Sequence, residues 1–167
     1  MTFHELNLLN TVALKQTLYR CCGSRTWVTN MLPFFPADDL VELLEDAEEQ
    51  WFLCSKEDWL EAFSQHPRIG DKDSLQKKFA STAQWAAGEQ GEVSKAKEKT
   101  LDELAEANRL YEEKFGYIFI VCATGKSAEE MLAILKSRLP NDPEKEILFA
   151  ADEQNKITRL RLEKLIE

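Results

Sequence analysis

His66-Pro67-Arg68-Ile69-Gly70-Asp71 is the first stretch of this 167-residue chain that could do chemistry. An imidazole titrates near neutral pH, so His66 can serve as general acid or general base. Proline disfavours helix at the residue before it, so the histidine falls at a helix end, where it can face a cleft. Pro67 fixes the backbone beside it, and Arg68 and Gly70 suit an anion contact and a tight turn. The plainer alternative is a structural turn with an exposed histidine. Gly88-Glu89-Gln90-Gly91 is a second candidate. A carboxylate beside an amide offers acceptors and donors together, which suits a ligand with N–H and C=O edges such as a ureide. An ordinary polar loop is the alternative. A third is Phe119-Ile120-Val121-Cys122-Ala123, whose backbone groups could pair with a flat heterocycle, or could simply be core. The fourth is Arg161, set between Leu160 and Leu162, whose guanidinium fork suits a carboxylate. A snorkelling surface arginine is the alternative there, and Arg159 is a rival pointing about 200° away on an ideal helix.

Other chemistries lack their residues. The chain has no G-x-S-x-G, no Walker loop, no G-x-G-x-x-G and no H-E-x-x-H. Cys21, Cys22, Cys54 and Cys122 form no C-x-x-C pair, and with only His4 and His66 no zinc spacing can be assembled. They read as reduced structural thiols of the cytosol.

The elements that must position these groups are helical. Only 6 Gly and 5 Pro interrupt the chain, which leaves room for long helices. Apolar spacing predicts helices over Leu6–Tyr19, around Trp27–Leu32 up to Pro33, and over Leu40–Trp51 behind Asp38 or Asp39. Ser55 with Asp58 has capping-box spacing for the helix that ends at His66. A further helix opens at Asp73 or Ser74 with Leu75 and Phe79 on one face, and Ala83–Gln90 has unclear boundaries. Val93–Phe115 is the longest amphipathic stretch, ended by Gly116. Tyr117–Ala123 has strand propensity but no partner strand, so it is expected as a buried extended connector. Ser127 with Glu130 suggests another capping box, for a helix through Leu139, and Pro143 starts a last helix to about Leu165. The expectation is an all-α single compact domain over residues 1–167, with seven or eight helices and one internal extended segment.

Composition bounds the function class. With 44% apolar and 31% charged residues the chain is expected to be globular and soluble. Thirty acidic against 21 basic residues give a net charge of −9, which argues against a nucleic-acid or anionic-membrane partner. Nothing approaches the ~20 apolar residues of a membrane span. Met1–Asn10 lacks a basic n-region, and Leu165-Ile166-Glu167 is not a peroxisomal tripeptide, so a cytoplasmic location is expected. An anionic ligand would need local basic residues to overcome the acidic sum, and Arg68 and Arg161 are placed to supply them.

Taken in order, the pieces resemble the 2-oxo-4-hydroxy-4-carboxy-5-ureidoimidazoline (OHCU) decarboxylase family. They are Phe3 with Leu6-Asn7, Cys21-Cys22-Gly23-Ser24 with Trp27, Pro33-Phe34 and His66-Pro67-Arg68-Ile69-Gly70. Glu89-Gln90, Ala107-Asn108 with Tyr111, Lys114-Phe115-Gly116 and Phe119-Ile120 follow. The last are Ala123 with Gly125 and Ser127, Arg138-Leu139, and Lys156-Ile157 with Leu160-Arg161-Leu162.

The resemblance implies an all-α fold, a homodimer, no metal or organic cofactor, and conversion of OHCU to (S)-allantoin and CO₂ in urate breakdown. It implies that His66 and Glu89 are catalytic. Substrate binding would fall to Pro67, Gln90, Phe119, Ile120, Val121 and Arg161, extending to Cys122 and Ala123. One position departs from the family pattern: Ala86 stands where many members have the serine of S-x-x-E-Q. The alternatives are a non-catalytic helical binding module on the same fold, or an interaction protein using the acidic face of Val93–Phe115.

Overall fold

Short polar side chains open the helices of this chain. The computed structural model describes residues 1–67, Leu75 and 91–167, the side chains of 91–96 excepted. The helices are α1 (Phe3–Asn7), α2 (Thr11–Cys21), α3 (Arg25–Met31), α4 (Leu40–Phe52), α5 (Lys56–Ser64), α6 (Gly91–Phe115), α7 (Ala128–Arg138) and α8 (Pro143–Leu165). A 3₁₀ turn, Leu32–Phe34, follows α3. The described residues contain eight α-helices and no strand, so the all-α expectation holds.

Free N–H groups at each helix start need acceptors, and these caps supply them. Asp39 Oδ1 accepts from the Glu42 N–H at 2.9 Å, which settles the choice between Asp38 and Asp39. Ser55 and Asp58 form the full reciprocal box. Ser127 Oγ accepts from the Glu130 N–H at 3.1 Å but the reciprocal backbone bond is missing, so that cap is half of the expected box. Gly116 takes the left-handed conformation (φ +83°) that ends α6.

Two boundaries differ from the periodicity. The expected helix Leu6–Tyr19 is broken into α1 and α2, because Asn10 accepts from the Ala13 N–H at 2.8 Å and starts a new helix. Pro33 sits inside the 3₁₀ turn, where its missing N–H costs nothing, and does not directly stop α3. The expected helix opening at Asp73 or Ser74, with Phe79, lies outside the described residues, as does Ala83–Gln90. Leu75 alone of that stretch is described; it is helical and buried.

Residue contacts fall into two units, Met1–His66 with Leu148–Glu167, and Pro67–Ile147. In the first, buried tryptophans pair their indole N–H with backbone carbonyls. Trp27 donates to Ala47 O, Trp51 to Ala151 O and Trp59 to Trp51 O, at 2.9–3.0 Å. Trp51 also packs against Trp59 and edge-on against Phe63, so α4 and α5 share an aromatic contact. This fixes α5, whose C-terminal end carries His66.

In the second unit, Leu101, Leu104, Ala107 and Tyr111 of α6 meet Met131, Leu132 and Leu135 of α7. Ala105 packs against this core, whereas Leu110 is 40% exposed and does not belong to it. Beneath lies a buried charged cluster. Arg138 Nη2 meets Glu146 Oε2 at 2.7 Å, and the Tyr111 hydroxyl donates to the same carboxylate at 2.6 Å. Burial works against the Arg138 charge, but hydrogen bonds to Glu146 outweigh it and hold the guanidinium above its ordinary pKa. Burial and the Glu146 bond together raise the Tyr111 phenol, so it stays a donor.

The four cysteines are free and buried. Burial pushes Cys21 up to about 11, Cys22 to about 12 and Cys54 to about 11, so these three stay thiols at neutral pH. No helix among the described residues is long and apolar enough to cross a membrane.

Candidate active site

His66 follows the last turn of α5, where its N–H bonds to Phe63 O at 3.3 Å. The helix stops because Pro67 comes next. The imidazole is half-buried and borders a cavity of about 270 Å³. The lining is Tyr19 and Arg20 of α2, Gly23, Ala62, Gln65, His66 and Arg161. Its volume lies near the low end for small-molecule sites and suits a one-ring ligand.

Arg161 reaches this cavity from α8. Its Nη1 donates to the carbonyls of Arg20 and Cys21, each at 3.3 Å. These carbonyls belong to the last turn of α2, where the helix dipole favours a cation. The contact anchors the guanidinium while Nε and Nη2 hydrogen-bond to no described residue. Arg159 is exposed and pairs with Glu163 at 3.3 Å, so of the two arginines Arg161 is the one beside His66. Arg20 is a second cation on the lining, which the sequence reading missed. Two guanidiniums therefore make the cavity locally basic in a chain of net charge −9.

Gly23 is required here by space. A Cβ at this position would lie 2.5 Å from Gln65 Cγ and 2.7 Å from Gln65 Cβ. Gln65 is the C-cap of α5 and the neighbour of His66. Gly23→Ala therefore displaces Gln65, and with it the histidine. The expected result is a loss of about 1–3 kcal/mol in urea unfolding, the usual cost of overpacking.

Phe119–Ala123 belongs to the second unit and lies in neither helix nor strand, with Ile120 and Cys122 buried. Its carbonyls are partly committed. Arg138 Nη1 donates to Ile120 O at 2.7 Å, Lys126 Nζ to Cys122 O at 2.7 Å, and the Lys126 N–H to Ala123 O at 3.0 Å. Arg138 also stacks over the Phe119 ring at 4.6 Å. Any backbone acceptor offered by this segment is then at Phe119 or Val121. Pro67 is exposed beside His66. Arg68, Ile69, Gly70, Ala86, Glu89 and Gln90 lie outside the described residues.

The sequence reading also passed over Gln154. Its Oε1 lies 2.5 Å from His66 Nε2. Gln154, Thr158 and Arg161 recur at i, i+4 and i+7 on α8, which places them on one face; that spacing was the available signal.

Residues 7–163 match the family model described as OHCU decarboxylase. The uric acid degradation bifunctional protein TTL of Arabidopsis thaliana is 41% identical over 148 residues, covering 87% of this chain and 45% of that protein. The 2-oxo-4-hydroxy-4-carboxy-5-ureidoimidazoline decarboxylase of Amia calva is 37% identical over 107 residues, covering 61% of this chain and 58% of that protein. The chain thus spans about half the length of these two relatives. A crystal structure of an OHCU decarboxylase in the presence of (S)-allantoin superposes with a TM-score of 0.70 at 41% identity, covering 88% of this chain and 94% of that one.

Proposed function

The chain belongs to the OHCU decarboxylase family, and on that premise we propose that it converts OHCU to (S)-allantoin and CO₂ without a cofactor. The reading is carried by the basic cavity that His66 and Arg161 share. The substrate is a five-membered ring bearing a carboxylate, a hydroxyl and a ureido arm on neighbouring atoms. The bond to the carboxylate breaks and CO₂ leaves. The electron pair left behind moves toward the adjacent ring C=N, so the substrate is its own electron sink. A proton then enters the ureido-bearing carbon, the hydroxyl proton leaves as the carbonyl forms, and the ring nitrogen that took up the electron pair gains a proton.

Three tasks remain for the protein: to orient the carboxylate, to hold the ureide edges, and to deliver the proton to one face. Arg161, with its uncommitted donors, binds an anionic or carbonyl oxygen. Glu89 and Gln90 hold the hydroxyl and ureide edges. The segment Phe119–Ala123 contacts the ring, and Pro67 stiffens the backbone beside the histidine. His66 supplies the proton. Ala86 offers no hydroxyl, so that contact is made by another group. The four buried free thiols fit a reducing compartment, which supports a cytoplasmic location. The homodimer implied by the family resemblance completes the proposal.

Freshly generated OHCU mixed with the protein is expected to release CO₂ and to give the circular dichroism of (S)-allantoin. Release no faster than in buffer would overturn the reading, and allantoin binding without turnover would point to a binding module. Arg161→Ala is expected to lower kcat/KM by about 10- to 100-fold, the equivalent of one charge-assisted contact. An unchanged value removes Arg161 from the site.

A further inference from the structure

His66 Nε2 is already engaged by the protein. Its partner, Gln154 Oε1, lies at 2.5 Å, and Gln154 is 0% exposed. The other end of that amide is also held, since Gln154 Nε2 donates to Thr158 Oγ1 at 3.1 Å. Thr158 is 3% exposed, so this amide contact is shut away from water. The order of donors follows from chemistry. The Thr158 hydroxyl oxygen accepts from the Gln154 amide N–H. The amide oxygen must then face His66. An amide oxygen only accepts, so the ring nitrogen beside it carries a hydrogen in every protonation state.

We propose that Gln154 is a positioning residue that locks His66 as the Nε2–H tautomer, leaving Nδ1 as the nitrogen that delivers the proton. This rests on the decarboxylase reading above. The imidazolium gives its Nδ1 proton to the ureido-bearing ring carbon after CO₂ has left. The neutral imidazole that remains keeps Nε2–H on Gln154, and Nδ1 takes a new proton from solvent. Because the amide cannot accept that proton, the two ring nitrogens never exchange roles. The wrong tautomer would leave a hydrogen where the neutral base needs a lone pair. Both anchors, Gln154 and Thr158, lie on the α8 face that carries Arg161, so one rigid helix sets the proton donor and the anion contact together.

Nitrogen-15 spectra of the histidine rings in the whole chain test this without substrate, above the pH at which His66 titrates. His4→Gln identifies the His66 signals, since His4 is exposed and outside the cavity. The wild type is expected to show predominantly Nε2–H. Gln154→Met is expected to mix the tautomers and to lower kcat by about 10- to 100-fold with KM within about twofold. A merely structural role would move KM or stability and leave the tautomer ratio alone. Thr158→Val, which keeps the glutamine but frees its amide to turn, is expected to lose part of the preference. A wild type dominated by Nδ1–H or evenly mixed overturns the proposal, as does a Gln154→Met spectrum unchanged from wild type. A wild type that releases no CO₂ from OHCU refutes the decarboxylase reading, while the tautomer ratio judges the positioning separately.

Discussion

His66→Asn is expected to lower kcat by roughly 10²–10⁴-fold, the range for loss of a general acid–base group. That corresponds to about 3–5 kcal/mol of transition-state stabilisation. Asparagine is polar and close in size, so it keeps a partner for the Gln154 side chain and disturbs the cavity little. It cannot donate a proton from a titrating nitrogen. The same variant should also change the stereochemistry of the product. A ring carbon that collects its proton from solvent can do so on either face, so the residual allantoin is expected to be nearly racemic. Circular dichroism of the product reads this directly, alongside CO₂ release for the rate. Full-rate formation of a single enantiomer by the variant would remove His66 from the proton step. KM should change little, because the substitution leaves Arg161, the proposed anion contact, anchored on Arg20 O and Cys21 O.

The second large effect concerns stability. Arg138→Ala is expected to destabilise the chain by about 3–5 kcal/mol, because the Glu146 carboxylate would be left buried without its cation. Glu146 is fully buried and Arg138 is 7% exposed, so neither charge can turn to water. The loss reaches further than one ion pair. Arg138 also holds Ile120 O and stacks over Phe119, so its removal frees the segment Phe119–Ala123. Kcat/KM should therefore fall even at temperatures where the variant is folded. The melting temperature should drop by about 10 °C, taking ~2–4 °C per kcal/mol for a chain of this length. The double variant Arg138→Met with Glu146→Leu is expected to be less destabilised than the sum of the two single ones, since no charge is left unpaired. Simple additivity in urea unfolding would show that the pair is not coupled.

Local chemistry made much of the fold readable. Ser55 with Asp58, Asp39 before Leu40, Gly116 after Phe115 and Pro143 at the start of α8 act on hydrogen bonds only a few residues away. The break after α1 was missed for a reason of the same kind. The apolar spacing runs on through Leu9, but the Asn10 side chain competes for a helix-start N–H, and periodicity does not register that. Of the candidate residues, His66 was visible because proline ends the helix at its neighbour. Arg161 was visible because its apolar neighbours mark a buried helix face.

By itself, then, the sequence determined the all-α class, most helix starts and stops, the family, and the placing of His66 and Arg161 at elements able to present them. Its charge of −9 could not reveal that two arginines line one cavity, because a sum carries no position. Only the tertiary structure decided that Arg20 joins Arg161 there and that Gln154 rather than a carboxylate stands beside His66. It also decided that Arg138 is spent on Glu146 and Ile120 rather than offered to a ligand. The physical reason is range. Caps, prolines and glycines act within one turn of backbone. His66 and Gln154 are 88 residues apart, and their contact is set only when α5 and α8 pack.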